Sequence, residues 1–246
     1  MPIVCNKLIR ALLIFTLLLI VTNIVLWTVY FHTNLPADRV LKLIDLDGEN
    51  NIPAAFSTVL LMASALLLLV IYQQHRLRYN NSFRYWLMLS AIFFYLAHDE
   101  LFQFHEAVMD KMREIWNFQG ILYFSWVIPG SIFVLLVSLY FIKFLRQLPD
   151  DTRHHFIAST ATYIGGALGM ELINGIYVTR YGGQDLTYHL LTITEESLEI
   201  FGAILFISAL LHYLKSHLSF NPDPQIMHAI IKLRTLGRVN KAFRNN

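Results

Sequence analysis

IPAAFSTVLLMASALLLLVIY, residues 52–72, runs for 21 positions without a charged side chain. A helix needs roughly 20 residues to cross the ~30 Å hydrocarbon core of a bilayer, so this stretch is long enough to span one. In lipid every backbone N–H and C=O must be paired within the protein, and a helix pairs them by itself. The stretch also begins as a helix should. Asn51 can accept from the free N–H groups of the first turn, and Pro53 falls where a missing N–H costs nothing.

Five more stretches of similar length flank it: residues 8–31, 85–108, 121–144, 156–178 and 186–213. The whole chain agrees. Of its 246 residues 56% are apolar and only 15% charged, with a mean hydropathy of +0.49. Soluble domains sit near half apolar and a quarter charged. A soluble globule, a disordered chain and a collagen-like fibre are excluded on these figures, and a lone Cys5 excludes a disulfide scaffold. The first stretch is too long for a signal-peptide core and has no small-x-small cleavage site after it, so it reads as a retained helix. The expected fold is an all-α polytopic membrane bundle of six transmembrane helices over residues 1–216, followed by a basic amphipathic cytoplasmic tail over 217–246.

Lys and Arg set the orientation. With both termini cytoplasmic, the inner segments hold 14 of these residues and the outer ones 5: Arg39, Lys42, Lys111, Arg113 and Arg180. This bias is the positive-inside pattern of a multi-pass membrane protein and sets its orientation. The net charge of +2 then reflects asymmetry and gives no reason to expect a nucleic-acid partner. In the tail, Ile226, Ile230 and Leu233 recur at helical spacing beside Lys232, Arg234, Arg238 and Lys241. That pattern suits a helix lying on anionic lipid headgroups. Docking of a cytoplasmic protein is the alternative, and no particular protein partner is identified. Cys5 lies where cysteines can be acylated, though a bystander thiol is the simpler reading.

Ionisable residues inside membrane helices are costly, at about 2.5–3.5 kcal/mol each near the centre, so they need a reason to persist. Segment 85–108 carries His98, Asp99, Glu100, His105 and Glu106; segment 156–178 carries Glu171 and Asn174; segment 186–213 carries His189, Glu195, Glu196 and Glu199. At about 100° per residue, His98 and His105 superimpose on one continuous helix, with Asp99 and Glu106 in the next row. Gln103 shares that face and Glu100 falls off it. His189, Thr192, Glu195, Glu196 and Glu199 share a sector of about 120°, and Thr160, Tyr163, Glu171 and Asn174 share another face. Each set lies in the outer half of its helix, beneath an outer loop carrying Asp38, Asp45, Asp47 and Glu49. The expectation is one polar cavity in the outer half of the membrane, with segments one and four peripheral to it. Gly165-x-x-x-Gly169 is expected to let a second helix approach closely.

So many carboxylates cannot all stay ionised together in low dielectric; they must take up protons or share a cation. No Lys or Arg lies within the inner stretches of these helices, and Arg113 and Arg180 sit near the outer ends. A divalent metal is the economical partner, and carboxylate with neutral imidazole suits zinc, iron or manganese. The candidate ligands are His98, His105, Glu195, Glu196 and Glu199, with Asp99 or Glu171 as catalytic base or support. No Glu-x-x-His, no His-Glu-x-x-His, no nucleophile elbow and no phosphate loop occurs. Asp45-Leu-Asp-Gly-Glu49 matches only the start of a calcium loop. Ser57 reads more simply as a hydroxyl bonded to its own helix than as a nucleophile. A hydrogen-bonded polar core that fixes helix register is the structural alternative to a metal site.

Glu-Asn-Asn-Ile-Pro-Ala-Ala-Phe-Ser (Glu49 to Ser57), His-Asp-Glu with a later His-Glu (His98 to Glu106) and Glu-Glu-x-x-Glu (Glu195 to Glu199) together resemble a group of uncharacterised bacterial polytopic membrane proteins. The resemblance covers the second to sixth segments and implies no activity. The alkaline-ceramidase-like membrane hydrolases pair a Ser-x-x-x-His with a His-x-x-x-His. Here Leu61 stands at the first spacing from Ser57, and His212 and His217 are five apart, so that pattern fails. Three functions compete: a metal-dependent enzyme acting on a lipid or lipid-borne substrate; a proton- or cation-coupled transporter; and a non-catalytic subunit or assembly factor of a membrane complex.

Overall fold

The computed structural model describes residues 2–33, 38–77 and 83–218. Among them the structure is helical and contains no strand. The chain up to His212 forms one compact unit; a second begins at Tyr213, and of it residues through Leu218 are described. The basic tail expected beyond that point lies outside the described residues.

In chain order the helices are α1 (Pro2–Thr33), α2 (Asp38–Ile44), α3 (Ile52–Leu77), α4 (Phe83–Phe102), α5 (Phe104–Trp116), α6 (Val127–Gln147), α7 (Asp150–Ile164), α8 (Glu171–Tyr181) and α9 (Leu186–Ser216). A short 3₁₀ turn, Gly120–Leu122, precedes α6, and a π turn, Gly165–Met170, joins α7 to α8 as one continuous rod. Among the described residues five helices are long and apolar enough to cross a membrane: α1 from Asn6, α3, α6, the α7–α8 rod and α9. α4 is 20 residues long but carries Asp99 and Glu100 in its last turn, and it does not join those five.

α3 starts as expected: the Ala54 N–H donates to Asn51 Oδ1 at 3.0 Å, with Pro53 in the first turn. α3 and α4 then pack through small residues. Ser64, Ala65, Ser90 and Ala97 are all buried, and the Ser90 hydroxyl donates to the Ala65 carbonyl at 2.8 Å. Small side chains let two backbones approach, which substitutes for the missing hydrophobic drive in lipid. α9 is the central helix: 56% of its apolar window is buried, against 22% for α1 and 17% for α6. Ile193, Ile200, Ala203, Ile204 and Ile207 of α9 meet Leu60 and Leu61 of α3 and Ala97 of α4 in the core.

The third predicted segment, 85–108, is not one helix. It breaks at Gln103, whose φ of 57° is left-handed. A non-glycine residue there costs roughly 1–2 kcal/mol, so something must hold it. Asp99 does: its carboxylate accepts the His105 N–H at 3.0 Å and so caps the first turn of α5. Side-chain capture of a backbone N–H is the usual way Asp competes with a continuing helix. The Gln103 amide in turn donates to Glu49 Oε2 at 2.7 Å, tying the break to the loop after α2. The superposition of His98 on His105 expected for a straight helix is therefore lost.

That loop is itself fixed. The Asn23 amide of α1, fully buried, donates to the Ile44 carbonyl at 2.7 Å and accepts the Leu46 N–H at 3.0 Å. Trp27 Nε1 donates to Asp45 Oδ1 at 3.1 Å and its ring stacks on His189 with centroids 3.4 Å apart. α1 is peripheral by burial, as expected, yet it sets the position of Asp47 and Glu49.

Candidate functional site

A cavity of about 690 Å³ runs between α6 on one side and α4, α7 and α9 on the other. Its two ends differ in chemistry. At one end the lining includes Asp47, Glu49, Asp99, Glu100, His105, Glu106, Glu171, Glu195, Glu196 and Glu199; among the described residues no Lys or Arg lines it. Towards the other end it is lined by Ile92, Phe93, Phe133, Val137 and Ile157. An aromatic floor closes this apolar end. Trp86 meets Phe144 at 5.0 Å and Phe156 at 6.0 Å, and Phe156 meets Phe206 at 4.9 Å. Edge-on ring packing of this kind adds to plain burial.

Helix α6 forms one wall and is held near both of its ends. Near its start, Gly130 comes so close to Leu168 that a Cβ would stand 3.2 Å from the leucine methyl. Trp126, just before α6, donates from Nε1 to Glu171 Oε1 at 2.8 Å. At the far end Phe144 stacks on Tyr85 at 5.1 Å. Between these contacts Phe133, Val134 and Val137 face the cavity.

The acidic end contains one arrangement with metal-ligand geometry. Glu49, His105 and Glu106 each offer a ligand atom, and the three atoms lie within 4.8 Å of one another. His105 is oriented by Asp99, whose Oδ2 lies 3.0 Å from ring Nδ1. That leaves Nε2 as the free nitrogen, in the carboxylate–histidine arrangement that supports many bound metals. The local electrostatics favour a cation. Burial disfavours a charged His105 ring, but the Asp99 hydrogen bond and the charges of Asp99, Glu106 and Glu49 outweigh it and raise the ring to about 9. Asp47 lines the cavity with surface open to that space, but protein encloses it on most sides. That enclosure, then the charges of Asp45, Glu171, Glu106 and Glu49, pushes its carboxyl up to about 7. Burial also raises Glu49, against the opposing hydrogen bond from Gln103.

Deeper in, Glu195 and Glu199 sit on α9 where it touches the π turn. A Cβ on Gly166 would lie 2.8 Å from the Glu195 carbonyl and 3.1 Å from the Glu199 N. A second contact at Gly202 would put a Cβ 2.6 Å from the Tyr163 N. These two glycines let the rod and α9 meet backbone to backbone. The close approach expected at Gly165 and Gly169 is not the one used: Gly165 has nothing within 4 Å, and the nearest atom to Gly169 is 4.0 Å away. Each π turn holds more residues than an α turn, which changes the face each glycine presents. Tyr163 pairs with Glu199, and the buried Asn174 amide donates to Glu195 Oε2. The other amide atom, Asn174 Oδ1, is buried with no hydrogen-bond partner among the described residues.

Of the residues singled out from sequence, Asp99, His105, Glu171, Glu195, Glu196 and Glu199 all line the one cavity. Only His105 belongs to the metal-like group. His98 does not line the cavity: its Nδ1 lies 2.8 Å from the Phe94 carbonyl of its own helix, and its ring lies against Phe94 and Phe102. Glu100, assigned to the wrong face on the straight-helix assumption, lines the cavity and also a small recess with Ser57, Tyr163 and Glu199. Asp47 and Glu49 were read only as an acidic loop above the cavity; they enter it because Asn23 and Trp27 fold the loop inward. Segment four is peripheral by burial, as expected, yet it supplies a wall of the cavity. Arg113 lies over the Tyr123 ring, 4.6 Å from its centroid, and not among the lining residues.

A family model described as "Domain of unknown function (DUF8692)" matches residues 11–214. No curated protein and no solved structure gives a match.

Proposed function

We propose that this chain, which belongs to the family described as domain of unknown function (DUF8692), is a six-span membrane enzyme of the bacterial plasma membrane. It uses a divalent metal held by Glu49, His105 and Glu106 to act on a lipid or lipid-borne group. The observation that carries this reading is the placement of a His/Glu/Glu group with converging ligand atoms at the acidic end of a cavity whose other end is apolar. A polar reacting group and a hydrocarbon chain are then accommodated in one space. Imidazole with two carboxylates suits zinc, iron or manganese.

A bound metal of this kind lowers the pKa of its water and supplies a nucleophile near neutral pH. Asp99 is engaged with His105 and acts by orienting it. Glu171, held by Trp126 and facing the same space, is the candidate base. The transporter reading meets an obstacle in the aromatic floor of Trp86, Phe144 and Phe156, because a conducting path needs polar lining on both sides.

The test is metal content by inductively coupled plasma mass spectrometry on detergent-purified protein, prepared without chelators. Wild type is expected to carry near-stoichiometric metal, and Glu49→Gln/Glu106→Gln to lose it. Absence of metal from both samples overturns the reading. Retention of metal in the double variant moves the site away from these residues.

A further inference from the structure

The deeper carboxyl groups need a different explanation from the metal trio. Among the described residues, Glu49, His105 and Glu106 are the group whose ligand atoms converge within 4.8 Å; Glu171, Glu195, Glu196 and Glu199 form no such set. Yet they line a cavity with nine acidic side chains and, among the described residues, no Lys or Arg. An anionic headgroup is repelled from such a space. A larger cation that carries several hydrogen-bond donors fits it.

A second observation points the same way. Asn174 is 1% exposed, lines the cavity, and has a side-chain oxygen with no donor. Leaving a buried acceptor unpaired costs about 1–3 kcal/mol, so the site is short of an N–H or O–H. The Asn174 nitrogen is already committed to Glu195, and Glu171 lies one turn earlier on α8. A protonated primary amine has three N–H donors on one centre, which matches an amide oxygen flanked by two carboxyl groups.

The cavity continues from there into the apolar chamber. Phe133 to Leu145 on its α6 wall is 13 residues, a rise of about 18 Å at ~1.5 Å per step. That is close to the thickness of one leaflet, about half of the ~30 Å hydrocarbon core. The floor of Trp86, Phe144 and Phe156 ends the chamber there.

We propose that the cavity binds a single-chain amphiphile with a protonated amine head, the head received by Asn174, Glu171 and Glu195 and the chain lying between α6 and the α4 and α7 walls. This rests on the reading that the cavity receives a membrane amphiphile, and it does not rest on the metal.

Native mass spectrometry of the detergent-purified protein tests it, with dodecylamine, dodecanol and laurate offered at equal concentration. Wild type is expected to retain the amine at least about tenfold better than the alcohol or the acid. Asn174→Ala is expected to lose at least tenfold of that preference, in line with the loss of a hydrogen bond to a charged donor. Val137→Trp fills the chamber from the peripheral α6 wall and is expected to lower amine retention as well, so the test survives if Asn174→Ala does not fold. Equal retention of the three amphiphiles, a preference for laurate, or unchanged amine retention in Val137→Trp overturns the proposal. Metal content of the same sample is read separately. Amine selectivity without metal keeps this inference and removes the metal reading; metal without amine selectivity does the reverse.

Discussion

Asp99 is the residue on which the metal reading turns, because it does two jobs with two oxygens. Oδ1 caps α5 by accepting the His105 N–H, and Oδ2 holds ring Nδ1. Asp99→Asn keeps the shape but cannot accept from an Nδ1–H with its amide nitrogen, so the ring loses its fixed tautomer. Partners of this kind are worth about 10–100-fold in metal affinity, and that loss is expected in a chelator-competition titration. His98→Ala is the matched control. Its ring lies on Phe94 and Phe102 away from the cavity, so metal affinity is expected to stay at the wild-type value. Sequence spacing alone ranked His98 and His105 as equals. The difference was not legible because Gln103 is neither Gly nor Pro and gives no breaking signal. The break comes from the Asp99 side chain and from Glu49, which lies 54 positions away along the chain.

The π turn between α7 and α8 decides which carboxyl groups enter the cavity, since α9 rests directly on it. Gly166→Ala brings a Cβ to 2.8 Å from the Glu195 carbonyl, and backbone on both sides must give way. Overpacking of that kind costs about 1–3 kcal/mol. A lowered melting temperature in detergent is expected, together with a displaced Glu195 and Glu199. Gly165→Ala, one position earlier, meets nothing within 4 Å. It is expected to be neutral or to stabilise by up to about 1 kcal/mol, as Ala does for Gly in a helix. Equal effects from the two substitutions would show that the rod does not contact α9 in this register. The existence of these helices was readable from apolar length, and the polar faces of the rod and of α9 were readable from the 3.6-residue period. The glycine contact was not, because a π turn shifts faces by an amount that a regular period cannot anticipate.

Over the whole molecule, the side of the membrane that the acidic end faces follows from whether α4 crosses. α3 ends at Leu77 and α4 starts at Phe83. Ala65 meets Ser90, and further along the pair the His75 ring lies over Trp86 at 5.6 Å. Contact positions that rise on one helix as they fall on the other describe an antiparallel pair, so α4 returns along α3. On the proposed six-span topology, that return is the sixth crossing beside the five apolar helices of spanning length found among the described residues. On that proposal the loop 45–51 and α5 share one side, which the Lys and Arg bias predicts to be the exterior. In a Cys5→Ser background, Lys111→Cys on α5 is expected to react with a membrane-impermeant maleimide in intact spheroplasts. Arg76→Cys at the end of α3 is expected to react only after permeabilisation. Both positions are exposed, so failure to label reports sidedness and not burial. The predicted pattern means that metal and amphiphile reach the cavity from the outer face and the outer leaflet. The reverse pattern turns the same cavity towards the cytoplasm: the Glu49–His105–Glu106 group and the Asn174 pocket keep their geometry, and only the compartment that supplies them changes.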